Sequence, residues 1–210
     1  MDTIWELDEQ EAAAAVARLM QVIALSPNQD GAPHVDFLKQ AGYVVAPVEH
    51  SGTLSAEIAK TFYDAMRSSQ TAPLTAIGLY NPEEQHCYGV APTLEGLEAL
   101  RGTSCGVINF ALCGGQGESG GPEWVILFDS QLYIGYGPKP FVRALAGDVA
   151  AAFAAVQSKV DTLQKEAKSE DVPGYAIAEM ERLSSYLSAA LEKLQKNYSQ
   201  ANAGEMVNIV

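Results

Sequence analysis

The glycine-rich segment GGQGESGG at residues 114–121 is the part of this chain whose residue types could do chemistry. Gly115, Gly117 and Gly120 match the GxGxxG spacing of a dinucleotide-binding loop, in which glycines let the backbone approach a pyrophosphate. The same stretch places Ser119 in a GxSxG pattern, which is typical of a serine nucleophile on a sharp turn. Both patterns require a helix directly after the loop, whereas a proline and the β-rich WVILF follow here. We therefore expect a mobile hairpin loop, with Ser119 as a candidate catalytic residue and the three glycines as candidate ligand-binding residues.

The hexapeptide GESGGP at 117–122 resembles the GDSGGP around the nucleophilic serine of trypsin-like proteases. The resemblance implies Ser119 as the nucleophile, with oxyanion-stabilising amides near Gly117. It covers these six residues alone, and that family places its catalytic His and Asp upstream of the serine in a double β-barrel. The histidines upstream of Ser119 all lie outside the family's Ala-Ala-His-Cys setting: His34, His50 and His86. A hydrolase or transferase that uses the loop at 114–122 is thus an alternative hypothesis.

The three cysteines, Cys87, Cys105 and Cys113, form no CxxC pair and leave one over from any disulfide. Zinc sites usually contain ligands spaced two to four residues apart. The adjacent His86 and Cys87 would point to opposite faces of a strand. We therefore expect buried free thiols in a reducing compartment, with no metal and no cofactor.

The net charge of −13 comes from 26 acidic and 13 basic residues. Such a surface repels phosphate backbones, so we expect no nucleic-acid partner. No stretch approaches the roughly 20 apolar residues of a membrane-spanning helix, and we expect a soluble cytoplasmic protein with no membrane insertion. One basic corner, GPKPFVR, contains Lys139 and Arg143, which are candidate ligand-binding residues for an anion.

Around the glycine-rich segment, hydrophobic periodicity predicts helices at 6–25 and 53–69, with a short helical turn ending at Gly42. The segment YVVAPV at 43–48 predicts a strand, and its proline indicates a strand end or a sheet edge. Two hairpins are predicted further on, at 74–91 and 124–136. The order predicts an α+β fold, a mostly antiparallel sheet of about five or six strands with helices on its faces. This layout resembles that of PAS, GAF and profilin domains.

The last part of the chain predicts two helices with apolar residues at near-heptad spacing. We therefore divide the chain into an α+β core domain at 1–147, a helical pair at 148–200 and a flexible tail at 201–210. The pair either packs on the core or forms an interface with a partner. The candidate partner-binding residues form one stripe on the second helix: Leu183, Leu187, Leu191, Leu194 and Tyr198.

The residue patterns contain no coherent catalytic set. We therefore expect a non-catalytic regulatory, adaptor or scaffolding protein that binds a protein partner, or a second copy of itself, through the C-terminal helices. A small-ligand pocket beside the sheet fits the same hypothesis. A further alternative is an assembly factor or accessory subunit of a larger complex.

Overall fold

The computed structural model describes residues 2–24, 32–49, 54–67, 73–79, 86–106, 109–117, 120–129, 132–169 and 172–201. Within them the chain forms an antiparallel sheet of seven strands with helices on both faces, followed by a C-terminal helical pair. The predicted α+β class is therefore confirmed. The buried apolar residues form one cluster that extends from Ala15 to Leu194.

The main sheet has the spatial order β1-β6-β5-β7-β8-β9-β4, and every neighbouring pair is antiparallel. Its central strand β7 is buried along its whole length, as expected for a strand covered on both faces. A separate two-stranded ribbon pairs β2 with β3. The strands are β1 Ile4–Glu6, β2 Ile23–Ala24, β3 Ala32–Pro33, β4 Val44–Glu49, β5 Leu74–Gly78, β6 Cys87–Val90, β7 Phe110–Gly114, β8 Trp124–Asp129 and β9 Leu132–Gly137.

Most of the helices begin at a capping side chain, which satisfies amide groups that the first turn leaves without partners. Asp8 and Glu11 form a capping box at the start of α1. Ser55, Thr93 and Asp148 cap α3, α4 and α6. The helices are α1 Glu9–Val22, α2 Val35–Ala41, α3 Ala56–Met66, α4 Leu94–Leu100, α5 Lys139–Ala146, α6 Val149–Glu166 and α7 Gly174–Ala201.

The two faces of the sheet contact different helices. On one face, Phe62 of α3 makes an edge contact with Phe128, at a ring distance of 5.1 Å. On the same face, Phe141 of α5 stacks on Trp124 at 4.7 Å. The opposite face is covered in part by α1, which packs on β5 and β6. Because successive strand residues alternate between faces, Cys113 points toward the α1 side and Gly114 toward the α5 side.

The C-terminal helices pack against each other and against the edge strand β4. Three leucines of the predicted partner-binding stripe, Leu187, Leu191 and Leu194, are at most 2% exposed. They belong to the protein's own core, because α7 turns this stripe toward the rest of the chain. Leu183 is half-buried against the same core. Tyr198 falls within α7, but its side chain lies outside the described part of the structure.

Several elements differ from the sequence-based expectation. The helix predicted at 6–25 is shorter, since its two ends belong to β1 and β2. The corner that contains Lys139 and Arg143 is a helix, α5, with Pro138 at its N-cap and another proline in its first turn. Proline is accepted there because the first-turn amides have no helical partners. Cys105 lies in a short 3₁₀ turn, Ser104–Gly106, ahead of β7.

Among the described residues, no single helix is long and apolar enough to cross a membrane. The bent pair of α5 and α6, which meet at 41°, reaches that length and composition only when the two are combined. Their apolar side chains Phe141, Val142, Phe153 and Val156 are buried within the protein.

Candidate functional site

The glycine-rich loop connects β7 to β8 and is held by hydrogen bonds of its own. The amide of Gly117 donates to the carbonyl of Gly121 at 2.8 Å, and the amide of Gly120 donates to the carbonyl of Gly117 at 3.0 Å. At the base of the loop, the amide of Glu123 donates to the carbonyl of Gly114 at 2.8 Å. Gly120 has φ +83°, a conformation that favours glycine over residues with a side chain. The loop amides of Gly117 and Gly120 are thus used within the loop rather than turned toward a common point.

The loop is also anchored to the first half of the chain. The buried hydroxyl of Tyr43 donates to the carbonyl of Pro122 at 2.7 Å. Burial, with a smaller effect of the nearby Glu123 carboxylate, raises the pKa of Tyr43 to about 12, so its hydroxyl stays protonated as a donor. Phe37 of α2 lies against Gly121, where a Cβ would come within 2.8 Å of the ring. These contacts fix the C-terminal end of the loop against α2 and β4.

The N-terminal end of the loop forms one wall of a pocket of about 160 Å³ between α1 and the ends of β5 and β7. Helix α1 supplies Arg18 and Leu19, and the sheet supplies Thr75 and Cys113. The loop and its flanks contribute Gly115, Gln116 and Pro122. Gly115 has φ +61°, which turns the chain from β7 into this wall. The pocket therefore combines one guanidinium, one hydroxyl and one amide with an apolar lining.

Cys113 sits at the pocket as a neutral thiol. It is 8% exposed and forms no disulfide. Burial raises its pKa to about 12, although the positive charge of Arg18 acts in the opposite direction. Burial also raises the pKa values of Cys87 and Cys105. At neutral pH these thiols are protonated, and a thiol in that state is a weak nucleophile and metal ligand.

The structure brings only part of the predicted site together. Gly115 lines the pocket, while Gly117 and Gly120 shape the outer part of the loop. Ser119 lies outside the described residues, so its surroundings are not part of the site described here. Lys139 and Arg143 belong to α5, which packs on the opposite face of the sheet from Cys113.

The described residues contain no group of three or more His, Cys, Asp or Glu side chains that could hold a metal ion. His34 precedes α2 and has an exposed side chain. The Nδ1 atom of His86 lies 4.0 Å from the Oε1 atom of Glu6 on β1. Sequence patterns did not single out Arg18, because it occupies an ordinary polar position of an amphipathic helix. Thr75 belongs to no motif, and Gln116 occupies a variable position of the GxGxxG pattern.

A second feature is the hairpin formed by α6 and α7, in which burial decreases toward the tip where the helices connect. Near the sheet, Phe153 and Val156 of α6 and Leu191 of α7 are buried. Toward the tip the apolar side chains are only half-buried: Leu163, Ile177, Met180 and Leu183. Tyr175, in the first turn of α7, is 82% exposed. The tip therefore presents apolar surface that the core does not cover.

No protein-family model, curated protein or solved structure matches this chain. The pocket and the hairpin tip therefore have to be interpreted from their own chemistry.

Proposed function

We propose that the protein is a non-catalytic regulatory or adaptor protein of the cytoplasm, which binds a protein partner through the tip of the α6–α7 hairpin. The tip is defined by Tyr175, Ile177 and Met180 in the first turns of α7. The observation that carries the proposal is the exposure of Tyr175, whose side chain is the most exposed of the large hydrophobic residues described. Tyrosine is enriched at the energetic centres of protein interfaces because it combines a large apolar ring with a hydroxyl.

The construction of the hairpin supports this proposal. Leu187, Leu191 and Leu194 fix the other half of α7 in the core, so the tip is held by a rigid base. A preorganised helical surface loses little conformational entropy on binding, which favours affinity. The predicted partner-binding stripe is not the proposed contact surface, because Leu187, Leu191 and Leu194 are buried in the protein's own core. The proposed surface is instead the exposed end of the same helix, at Tyr175.

Charged side chains border the apolar residues of the tip. Glu179 and Arg182 form a two-point ion pair on the surface of α7, with N–O distances of 2.9 and 2.6 Å. Lys165 lies in the last turn of α6 and Lys168 shortly after the helix ends, where positive charge suits the negative end of the helix dipole. An apolar centre with a charged rim is the usual anatomy of a protein-binding surface.

The test compares capture of partners from the native source by the full chain and by two variants, followed by mass spectrometry. Tyr175→Ala removes the exposed ring at the tip. Trp5→Ala is the matched control, because Trp5 is a 38% exposed aromatic on β1, the sheet edge opposite β4. We expect the same protein to be recovered with the parent chain and with Trp5→Ala. The recovered amount of this protein should fall at least tenfold with Tyr175→Ala.

Thermal melting followed by circular dichroism shows whether both variants are folded. Light scattering on the free chain identifies a second copy as the partner, if a dimer forms and Tyr175→Ala dissociates it. Recovery that is unchanged by Tyr175→Ala, or that is lost with Trp5→Ala instead, would contradict the proposal. So would the absence of any captured protein from a monomeric parent chain.

A further inference from the structure

The pocket beside the glycine-rich loop has the size of a small-molecule site. Its volume of about 160 Å³ lies between α1, β5 and the end of β7. A cavity of about 150 Å³ holds one benzene molecule, so a ligand of roughly six to ten non-hydrogen atoms fits this space. Binding pockets typically combine an apolar lining with a few polar groups that orient the ligand. This pocket has both parts.

The polar part centres on Arg18. Its side chain is half-buried, and the structure records no ion pair between it and a carboxylate of the described residues. The hydroxyl of Thr75 and the amide of Gln116 share the same cavity. A guanidinium binds a carboxylate through two parallel hydrogen bonds. This interaction is stronger in a partly desolvated site than in water. On a chain of net charge −13, a guanidinium that lines a cavity can attract an anion.

The apolar part distinguishes an organic acid from an inorganic anion. Leu19, Pro73 and Pro122 line the pocket together with Ala15. These side chains offer nothing to the oxygens of phosphate, but they can cover a short hydrocarbon chain or a ring. The thiol of Cys113 adds no negative charge, because burial holds its pKa far above neutral. The lining therefore suits a molecule with one charged end and one apolar end.

We propose that this pocket binds a small organic monocarboxylate, with its carboxylate on Arg18 and its hydrocarbon part against Leu19, Pro73 and Pro122. The inference is independent of the hairpin tip, since the pocket is formed by α1, β5 and the β7–β8 loop. Binding would connect α1 to the loop, and the loop is in turn fixed to β4 through Tyr43. The ligand would thus bridge α1 and the β7–β8 loop, between which the described residues form no direct hydrogen bond at the pocket.

The experiment titrates benzoate, benzamide and inorganic phosphate into the full chain labelled with ¹⁵N. Benzoate and benzamide have the same shape and number of non-hydrogen atoms, but only benzoate is charged. We expect benzoate to give saturable shifts at the amides of Gly115 and Gln116, with benzamide and phosphate at least tenfold weaker. Butyrate serves as a narrower carboxylate in case a ring does not enter.

The variants separate the pocket from general charge effects. Arg18→Gln should weaken the binding of benzoate at least tenfold and leave the binding of benzamide unchanged. Arg143→Gln on α5 should change the affinity for neither compound. If Arg18→Gln fails to fold, Arg18→Lys keeps the charge and removes the two-point geometry, so a weakening of three- to tenfold is expected. The proposal is overturned if no carboxylate gives saturable shifts at the pocket. Equal binding of benzamide or phosphate, or an equal loss with Arg143→Gln, also overturns it.

Discussion

The hydroxyl of Tyr43 donates a hydrogen bond of 2.7 Å to the carbonyl of Pro122, a residue 79 positions later in the chain. This bond joins the residue that precedes the edge strand β4 to the loop between β7 and β8. It anchors the C-terminal end of the glycine-rich loop beside the pocket.

Tyr43→Phe should lower the free energy of unfolding by about 1–3 kcal/mol, because the buried carbonyl of Pro122 loses its donor. Hydrogen–deuterium exchange should also become faster at the amides of Gly117, Gly120 and Glu123. The exposed Tyr175→Phe is the matched control and should change neither quantity. Unchanged exchange in the loop of Tyr43→Phe would show that the hydrogen bond does not hold it.

Gly114→Ala should destabilise the protein by about 1–3 kcal/mol through overpacking. A Cβ at Gly114 would overlap the indole of Trp124, which is fully buried and stacked on Phe141. Gly89→Ala is the matched comparison, because its Cβ would overlap the indole of Trp5 on the neighbouring strand.

Trp5 is 38% exposed and can turn toward solvent, so Gly89→Ala should cost less than Gly114→Ala. Urea denaturation gives both free energies, and tryptophan fluorescence reports the displaced ring. A larger loss for Gly89→Ala would contradict the packing described for the two tryptophans.

Stability should fall at alkaline pH. Burial raises the pKa of Cys113 and of Cys105 to about 12 from an ordinary 9.0. Between these values the unfolded chain has lost protons that the folded chain keeps, so the free energy of unfolding decreases as the pH rises. Each thiol contributes up to about 1.4 kcal/mol per pH unit.

Urea denaturation from pH 7 to pH 10 gives the free energy of unfolding at each pH. This free energy should be constant below about pH 8 and should decrease with rising pH above about pH 9. Cys113→Ala should reduce the alkaline slope without changing its sign. A free energy of unfolding that stays constant up to pH 10 would show that the thiols are not buried in this way.

Leu191→Ala should cost about 2–5 kcal/mol, because Leu191 is 2% exposed and belongs to the main core. Tyr175→Ala on the same helix should stay within about 0.5 kcal/mol of the parent chain, since its ring is 82% exposed. Similar values for the two variants, measured by urea denaturation, would mean that α7 does not divide into a buried base and a free tip.

The sequence predicts the local elements well where a pattern is strong. The β8–β9 hairpin was expected from its β-rich runs, and the proline of β4 indicated the edge position that this strand occupies. Gly42 ends α2 in the left-handed conformation, as expected. These features depend on neighbours in the sequence, which is why they could be predicted.

Features that depend on distant residues were not predicted. β1 has three residues, and it becomes a strand only because it pairs with β6 far along the chain. The two prolines and two basic residues of the α5 segment indicate a basic corner, although Phe141, Val142 and Leu145 have helical spacing. The pocket draws on α1, β5, β7 and the loop at once, so Arg18 and Thr75 could not be associated before the fold was known.

We propose the hairpin tip as the contact surface for a protein partner. Hydrogen–deuterium exchange on the complex with the purified captured partner shows which segments the partner covers. We predict protection concentrated in peptides that cover 161–169 and 172–183, with little change at β1 and in the β7–β8 loop. Protection at β1 or on α1, with unchanged exchange in the tip peptides, would contradict the claim.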